Sequence, residues 1–292
     1  MKRKILANKV AIITGASEGL GFAIAKKFIL EGANITICSR NKKNLKLAKE
    51  SLIKILNSNQ KILVVPADVS KQSDVKKIIN LTIKKFGKCN ILVNNAGIYG
   101  PKGKIENINW KDWKKTIEIN LFGSILMCRY LIKYFKKQKY GKIIQLSGGG
   151  ATNPLPNLSA YAASKAAIVR FMETLALEVR DFNIDINSIA PGALNTKMLD
   201  EVIKSGPNKV GSDFYKRALK QKKTGGTSLN YGADLAVFLA SSDSNGISGR
   251  LISAVWDNWK EWPKYINKLS NSDVYTLRRI IGRDRGFFWG DK

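Results

Sequence analysis

Thr14-Gly15-Ala16-Ser17-Glu18-Gly19-Leu20-Gly21 decides how this 292-residue chain folds. The apolar, β-branched run Val10 to Thr14 enters it, and a helix-period stretch from Leu20 to Leu30 leaves it. In such a strand-turn-helix, Gly15 permits the tight turn, Gly19 lets the backbone approach a pyrophosphate, and Gly21 lets the helix pack closely. The helix N-terminus adds unpaired N–H groups and the positive end of its dipole, which favour a phosphate. A glycine pattern alone is weak, but its place after the first strand of an alternating chain makes it strong.

The alternation continues outward to about residue 255. Strands are expected at Val10 to Thr14, Asn34 to Cys38, Lys61 to Val65, Ile91 to Val93, Lys142 to Leu146, Asp185 to Ile189 and Leu251 to Val255. Helices are expected near Leu20 to Leu30, Asn44 to Leu56, Ser73 to Phe86, Trp113 to Lys137, Ala160 to Val179 and Ala233 to Ala240. Continuously apolar strands separated by helices imply a parallel sheet covered on both faces, because an exposed face would alternate in polarity. The fold class is therefore α/β, a doubly wound parallel sheet of about seven strands in one domain, 1–255. Leu194 to Ser228 reads as an irregular insertion beyond a strand's carboxyl end, where ligands usually sit, and is expected to form a substrate lid. Residues 256–292 form an aromatic and basic C-terminal extension carrying Trp256, Trp259, Trp262, Tyr265, Tyr275 and Phe287-Phe288-Trp289.

Composition excludes more than it specifies. With no histidine in the chain, mechanisms built on a histidine base, a Ser-His dyad or a histidine-ligated metal fall away. Cys38, Cys89 and Cys128 are odd in number, widely spaced and set in apolar segments, which fits reduced core thiols rather than disulfides or a metal site. No apolar run reaches the length of a membrane span, and Met1-Lys2-Arg3-Lys4 does not lead into a signal-peptide apolar region, so a cytoplasmic protein is expected. The net charge of +28 raises nucleic acid and acidic membranes as partners. The lysines are scattered over helix faces, however, and accompany an excess of Ile and Asn, which a genome-wide compositional drift produces without any ligand. Neither nucleic acid nor membrane is expected as a partner.

Tyr161-Ala162-Ala163-Ser164-Lys165 places a phenol and an ammonium one helical turn apart on one face. A cation beside a tyrosine favours the phenolate, so the pair can exchange protons near neutrality.

Together these residues resemble the short-chain dehydrogenases/reductases, in the subgroup with Thr-Gly-three residues-Gly-one residue-Gly. The resemblance extends through Asp68, Asn94-Asn95-Ala96-Gly97, Asn120, Ser147, Tyr161 with Lys165, and Pro191-Gly192 with Thr196, over residues 8 to 255. It implies a Rossmann-like catalytic domain, an NAD(P) cofactor and a homodimer or homotetramer with the Asn120 and Tyr161 helices at a subunit interface. Tyr161 is the implied acid toward a carbonyl oxygen, or base in reverse. Lys165 would hold the nicotinamide ribose and depress the tyrosine pKa, Ser147 would hold the substrate oxygen, and Asn120 would anchor a proton-relaying water. The implied cofactor contacts are Gly15, Ser17, Glu18, Gly19, Leu20, Gly21, Ser39, Arg40, Asp68, Val69, Asn95, Ala96, Gly97, Tyr161, Lys165, Pro191, Gly192 and Thr196. One departure stands out: Ser147 precedes Tyr161 by fourteen residues, one more than in many members, and Gly148 stands where a second serine is usual.

Ser39 and Arg40 occupy the place where NAD-using relatives carry an acid, which favours the 2′-phosphate of NADP(H); Glu18, where NADP-preferring relatives often carry a base, argues for NAD(H). Expected pocket walls are Gly149, Ala151, Asn153, Pro154, Leu158, Ala193 and the 194–228 segment. The expected activity is NADP(H)-preferring interconversion of a secondary alcohol and a ketone. Alternatives are an NAD-dependent dehydrogenase of a polyol or sugar derivative, and a catalytically idle protein that senses cofactor or binds nucleic acid. Arg278, Arg279, Arg283 and Arg285 of the tail are read as a solvated basic face or, more sharply, as a cover that binds an anionic or sugar-derived substrate.

Overall fold

Seven parallel strands form one sheet in the order β3-β2-β1-β4-β5-β6-β7 in a computed structural model that describes residues 4–290. The strands are β1 Val10–Thr14, β2 Asn34–Ser39, β3 Ile62–Pro66, β4 Ile91–Asn94, β5 Gly141–Leu146, β6 Ile184–Ala190 and β7 Arg250–Ser253. Met1-Lys2-Arg3 and the last two residues of the tail lie outside the described residues.

Why the strands read as unbroken apolar runs is visible in β1. Ile12 faces one apolar cluster with Val75, Met127 and Ile168, while Ala11 and Ile13 face the opposite one with Ile24, Phe28 and Leu235. Successive side chains point to opposite faces, and both faces are covered. The first cover comprises α1 Gly19–Leu30, α2 Lys42–Ile53 and, later in the chain, Leu229–Ala240. The second comprises α3 Gln72–Phe86, then, beyond α4 Trp110–Ile117, α5 Gly123–Gln138 and α6 Ser159–Glu178. Phe28 and Phe135 are fully buried, and truncating such a ring to alanine costs about 3–5 kcal/mol.

Local signals set the ends. The Asn41 side chain accepts from Asn44 N at 3.0 Å to start α2, and Gly87 at φ 73° ends α3. The expected single helix over Trp113 to Lys137 is instead α4, a π-helical turn at Glu118–Phe122, and α5. Leu194 to Ser228 is not irregular: it holds α7 Lys197–Ser205, α8 Pro207–Val210 and α9 Ser212–Thr224 before α10 Leu229–Ala240. Glycines 206, 211 and 225 break the pattern into pieces too short to declare a period.

Across β5 and β6, Lys142 Nζ meets Asp185 Oδ2 at 2.6 Å, with both side chains buried. Removing one partner would leave an unpaired buried charge, at a cost of about 3–5 kcal/mol. Beyond β7 the tail turns through Trp259–Tyr265 and α11 Ile266–Ser270, burying Trp259 and Trp262 against the α10 side of the core. Leu251 N donates to Tyr275 O at 2.8 Å, so the tail shields the edge strand from stray pairing. Among the described residues no helix is long and apolar enough to cross a membrane.

Candidate active site

The strand order reverses between β1 and β4, and the loops leaving the carboxyl ends of those strands diverge there to open a crevice. A cavity of about 820 Å³ occupies it, large enough for a dinucleotide's reactive end and a small substrate. Its floor is the glycine turn. Gly15 turns at φ 62°, a Cβ on Gly21 would overlap the Asn95 amide, and nothing approaches a Cβ on Gly19 closer than Thr196 Cγ2 at 3.5 Å. The turn is braced from β4: Asn95 Nδ2 donates to Thr14 O at 2.9 Å and Gly15 O at 3.0 Å, while Asn95 N and Ala96 N both donate to Thr14 Oγ1 at 3.0 Å. Glu18 precedes α1 without a side-chain cap, leaving the first N–H groups of that helix unclaimed beside the cavity. These residues fit a pyrophosphate.

Ser17, Glu18, Leu20, Ser39, Arg40, Asp68, Val69, Ala96, Gly97, Pro191, Gly192 and Thr196 line the same cavity, as do Gly15, Gly19, Asn95, Ser147, Tyr161 and Lys165. Gly21 and Asn120 do not line it; they support it from behind. At the end of β2, Ser17 Oγ donates to Ser39 Oγ at 3.0 Å with Arg40 alongside. Lys197 pairs with Glu18, which also accepts from Asn44 Nδ2 at 3.2 Å, so the one acid that argues for NAD(H) is neutralised by a lysine that the sequence reading passed over. Burial works against the Asp68 carboxylate, yet hydrogen bonds from the Ser70 side chain and backbone, with the charges of Lys115 and Arg40, hold its pKa below the ordinary value.

At the other end, α6 carries the pair. Tyr161 is 7% exposed and its hydroxyl makes no hydrogen bond among the described residues. Lys165, 5% exposed, donates from Nζ to Leu146 O at 2.8 Å and sits 5.6 Å from the Tyr161 ring centroid. The lysine does not lower the tyrosine pKa in the protein alone. Burial, with Tyr99 as a second cause, raises the phenol, and burial pushes the ammonium down to about 8. At neutral pH the site therefore holds a neutral phenol beside an ammonium, the protonation state that a proton donor to a carbonyl requires.

Asn120 sits in the π-helical turn, a local distortion often found at functional sites. Its Oδ1 accepts from Ile98 N and its Nδ2 donates to Ile98 O, both at 2.9 Å, with a further bond to Ser164 Oγ at 3.0 Å. The side-chain amide is thus committed to tying the loop after β4 to α6. A Cβ on Gly97 would stand 3.3 Å from Asn120 Oδ1 and 3.8 Å from Lys165 Nζ, which makes the three neighbours.

Ser147 directly follows β5, is 5% exposed, and its Oγ is buried with no hydrogen-bond partner among the described residues. A buried hydroxyl without a partner costs free energy unless a ligand satisfies it. The residue that abuts the phenol is Gly148: a Cβ there would overlap the Tyr161 oxygen and stand 3.1 Å from its Cζ. Of the expected walls, Gly149 and Ala193 line the cavity, whereas Ala151, Asn153, Pro154 and Leu158 do not. From the 194–228 segment, itself an expected wall, Phe214, Arg217 and Gln221 line it, and so do Tyr99, Leu155 and Trp256, which the sequence does not single out as walls. The tail arginines are elsewhere: Arg278 pairs with Asp273 at 3.0 Å and approaches Glu173, and Trp256 is the extension's contribution to the cavity.

Fold and site together define an oxidoreductase of the dinucleotide-binding α/β class, and residues 9–206 match the short chain dehydrogenase family, so the chain belongs to that family. It is 34% identical over 247 residues to "Dehydrogenase/reductase SDR family member 4" of Caenorhabditis elegans, covering 84% of this chain and 92% of that one. It is 36% identical over 212 residues to "11-beta-hydroxysteroid dehydrogenase-like 3" of Arabidopsis thaliana, covering 72% of this chain and only 65% of the relative's length. Among solved structures, a 3-ketoacyl-(acyl-carrier-protein) reductase from Brucella melitensis complexed with NADH superposes with a TM-score of 0.74 at 30% identity, covering 85% of this chain and 97% of that one. An NAD+-bound xylitol dehydrogenase gives a TM-score of 0.77 at 26% identity, covering 85% and 98%. The protein is an enzyme acting on CH–OH groups, of a family that uses NAD(P)(H). That outcome disfavours the reading of a catalytically idle binding protein.

Proposed function

We propose that the enzyme interconverts a secondary alcohol and a ketone with NADP(H) as its preferred cofactor. The observation that carries this is the pair of hydroxyls, Tyr161 Oη and Ser147 Oγ, which line one cavity and have no hydrogen-bond partner among the described residues. A ketone oxygen is the acceptor both need. The glycine turn, Arg40 and Lys165 would hold the dinucleotide, whose chemistry there would be the supply of a hydride to the carbonyl carbon. Tyr161 gives its phenolic proton to the carbonyl oxygen, Ser147 orients that oxygen, and Lys165 keeps a positive charge next to the phenol while its remaining N–H groups are available to a ribose hydroxyl. Asn120 acts as a positioning residue through Ile98 and Ser164.

Arg40 beside an uncharged Ser39 supports the 2′-phosphate of NADP(H), and the neutralisation of Glu18 by Lys197 removes the main objection. NAD-linked oxidation of a polyol remains the second reading, favoured by the superposition on a xylitol dehydrogenase. Titrating the protein with NADPH and NADH while following nicotinamide fluorescence tests the choice: tighter NADPH supports our reading, and tighter NADH supports the second.

We also propose that the lid is 194–228, packed over the cavity through α7 and α9, and that residues 256–292 are an extension of a 1–255 catalytic domain. Exposed Trp110, Phe122, Tyr134 and Leu177 on the α4 to α6 side support a homodimer or homotetramer, which light scattering on the purified chain would measure. Three free, buried thiols support a cytoplasmic setting.

A further inference from the structure

Among the described residues six charged side chains line the cavity; four of them have partners within the protein, and a fifth, Arg40, is assigned above to the cofactor. Glu18 and Lys197 pair with each other, Asp68 is held by Ser70 with Arg40 at the same end, and Lys165 donates to Leu146 O. The sixth, Arg217 on α9, has no ion pair or hydrogen bond among the described residues. Its neighbours do not claim it. Asp200 pairs with Lys222, Glu201 with Lys102, and Asp213, one turn earlier on the same helix, makes no ion pair with it.

An aromatic path connects this guanidinium to the reacting end. Arg217 Cζ lies 6.0 Å from the Phe214 ring centroid. Phe214 and Tyr99 pack against one apolar cluster, Leu199, Val202, Val210 and Ala218. Tyr99 then meets Tyr161 edge-on with ring centroids 4.7 Å apart. Trp256, 84% exposed, offers a further ring to the cavity. The substrate end thus has a proton donor, apolar walls and an unpaired guanidinium, with no carboxylate among its lining residues.

We propose that the substrate is a ketone or secondary alcohol bearing an anionic group, a carboxylate or a phosphate, and that Arg217 binds that group. The inference rests on the reading of the site as a ketone reductase and adds the class of substrate. A guanidinium is a forked, permanently charged donor that matches both anions in a bidentate manner. The net charge of +28 draws such a substrate toward the enzyme at low ionic strength. Arg217 replaces the tail arginines in this role.

The test uses two matched pairs of probes with the full chain and saturating reduced cofactor: 4-oxopentanoate against 2-pentanone, and dihydroxyacetone phosphate against dihydroxyacetone. The anionic member of one pair is expected to exceed its neutral partner at least tenfold in kcat/KM, the pair that responds telling carboxylate from phosphate. Arg217→Gln should cut that ratio at least tenfold through KM, Arg217→Lys should retain part of it, and Arg180→Gln, a surface control paired with Asp181, should leave it unchanged. Ratios within twofold for both pairs, a ratio that survives Arg217→Gln, or an equal loss in Arg180→Gln would overturn the proposal. Calorimetric binding of the same probes to the cofactor-loaded protein separates the two claims. If nothing is turned over but the anionic probes bind and Arg217→Gln abolishes it, the anion site stands and the reductase reading falls. If the neutral ketones are reduced and the anions gain nothing, the reverse holds. Failure of both anionic probes to bind overturns the anion site.

Discussion

Gly148 lies against Tyr161 so closely that a Cβ on the glycine would overlap the phenolic oxygen. The backbone there is extended, so what glycine supplies is room and not an unusual φ. Gly148→Ala should push the phenol aside and lower kcat for ketone reduction on the order of 10²-fold, as a misplacement of about 1 Å does. Cofactor binding should change little. Steady-state kinetics with a parallel cofactor titration checks this, and an unaltered kcat would show that the phenol's seat is not what the glycine protects.

Ser147→Ala separates a substrate-facing hydroxyl from a structural one. Because Ser147 Oγ has no partner among the described residues, its loss should not reduce thermal stability. Losing a donor to the reacting oxygen should lower kcat by about 10²-fold. A fall in melting temperature with unchanged kcat would assign the hydroxyl to packing.

Arg40→Ala should weaken NADPH binding by roughly 10- to 100-fold, the worth of one charge-assisted contact, and leave NADH nearly untouched. Equal weakening of both would place the guanidinium on something the two cofactors share.

The pH profile of reduction should follow Lys165. With the tyrosine pKa raised by burial, the phenol keeps its proton throughout the accessible range, while the ammonium loses its proton near pH 8. Reductive kcat/KM should therefore stay level below that pH and fall above it, and oxidation, which needs the phenol deprotonated, should gain with rising pH. A reductive profile flat to pH 10 would remove Lys165's charge from the mechanism.

Much of this was legible in the chain because the sheet is buried on both faces. Seven apolar runs gave seven strands, with ends displaced by one residue or so, and the glycine turn after the first of them located the crevice. The substrate end was harder. Glycines chopped the 194–228 segment into short helices whose period is invisible piece by piece, yet Phe214, Arg217, Ala218 and Gln221 do recur at i, i+3, i+4 and i+7 on one face of α9. Asn120's commitment to Ile98 and the pairing of Lys197 with Glu18 join residues distant in sequence, and no local pattern announces them. The sign of the tyrosine shift was missed for a related reason. Spacing places a lysine beside a phenol, but only packing reveals that burial outweighs the lysine.

The most direct test is Tyr161→Phe assayed with saturating NADPH and a ketone that the unaltered enzyme reduces. If the phenol is the proton donor, NADPH still binds with its original affinity while turnover falls by at least a thousandfold, to about the level expected when a general acid is lost together with its orienting role. Turnover within a few-fold of the unaltered enzyme, cofactor bound as before, would contradict the account.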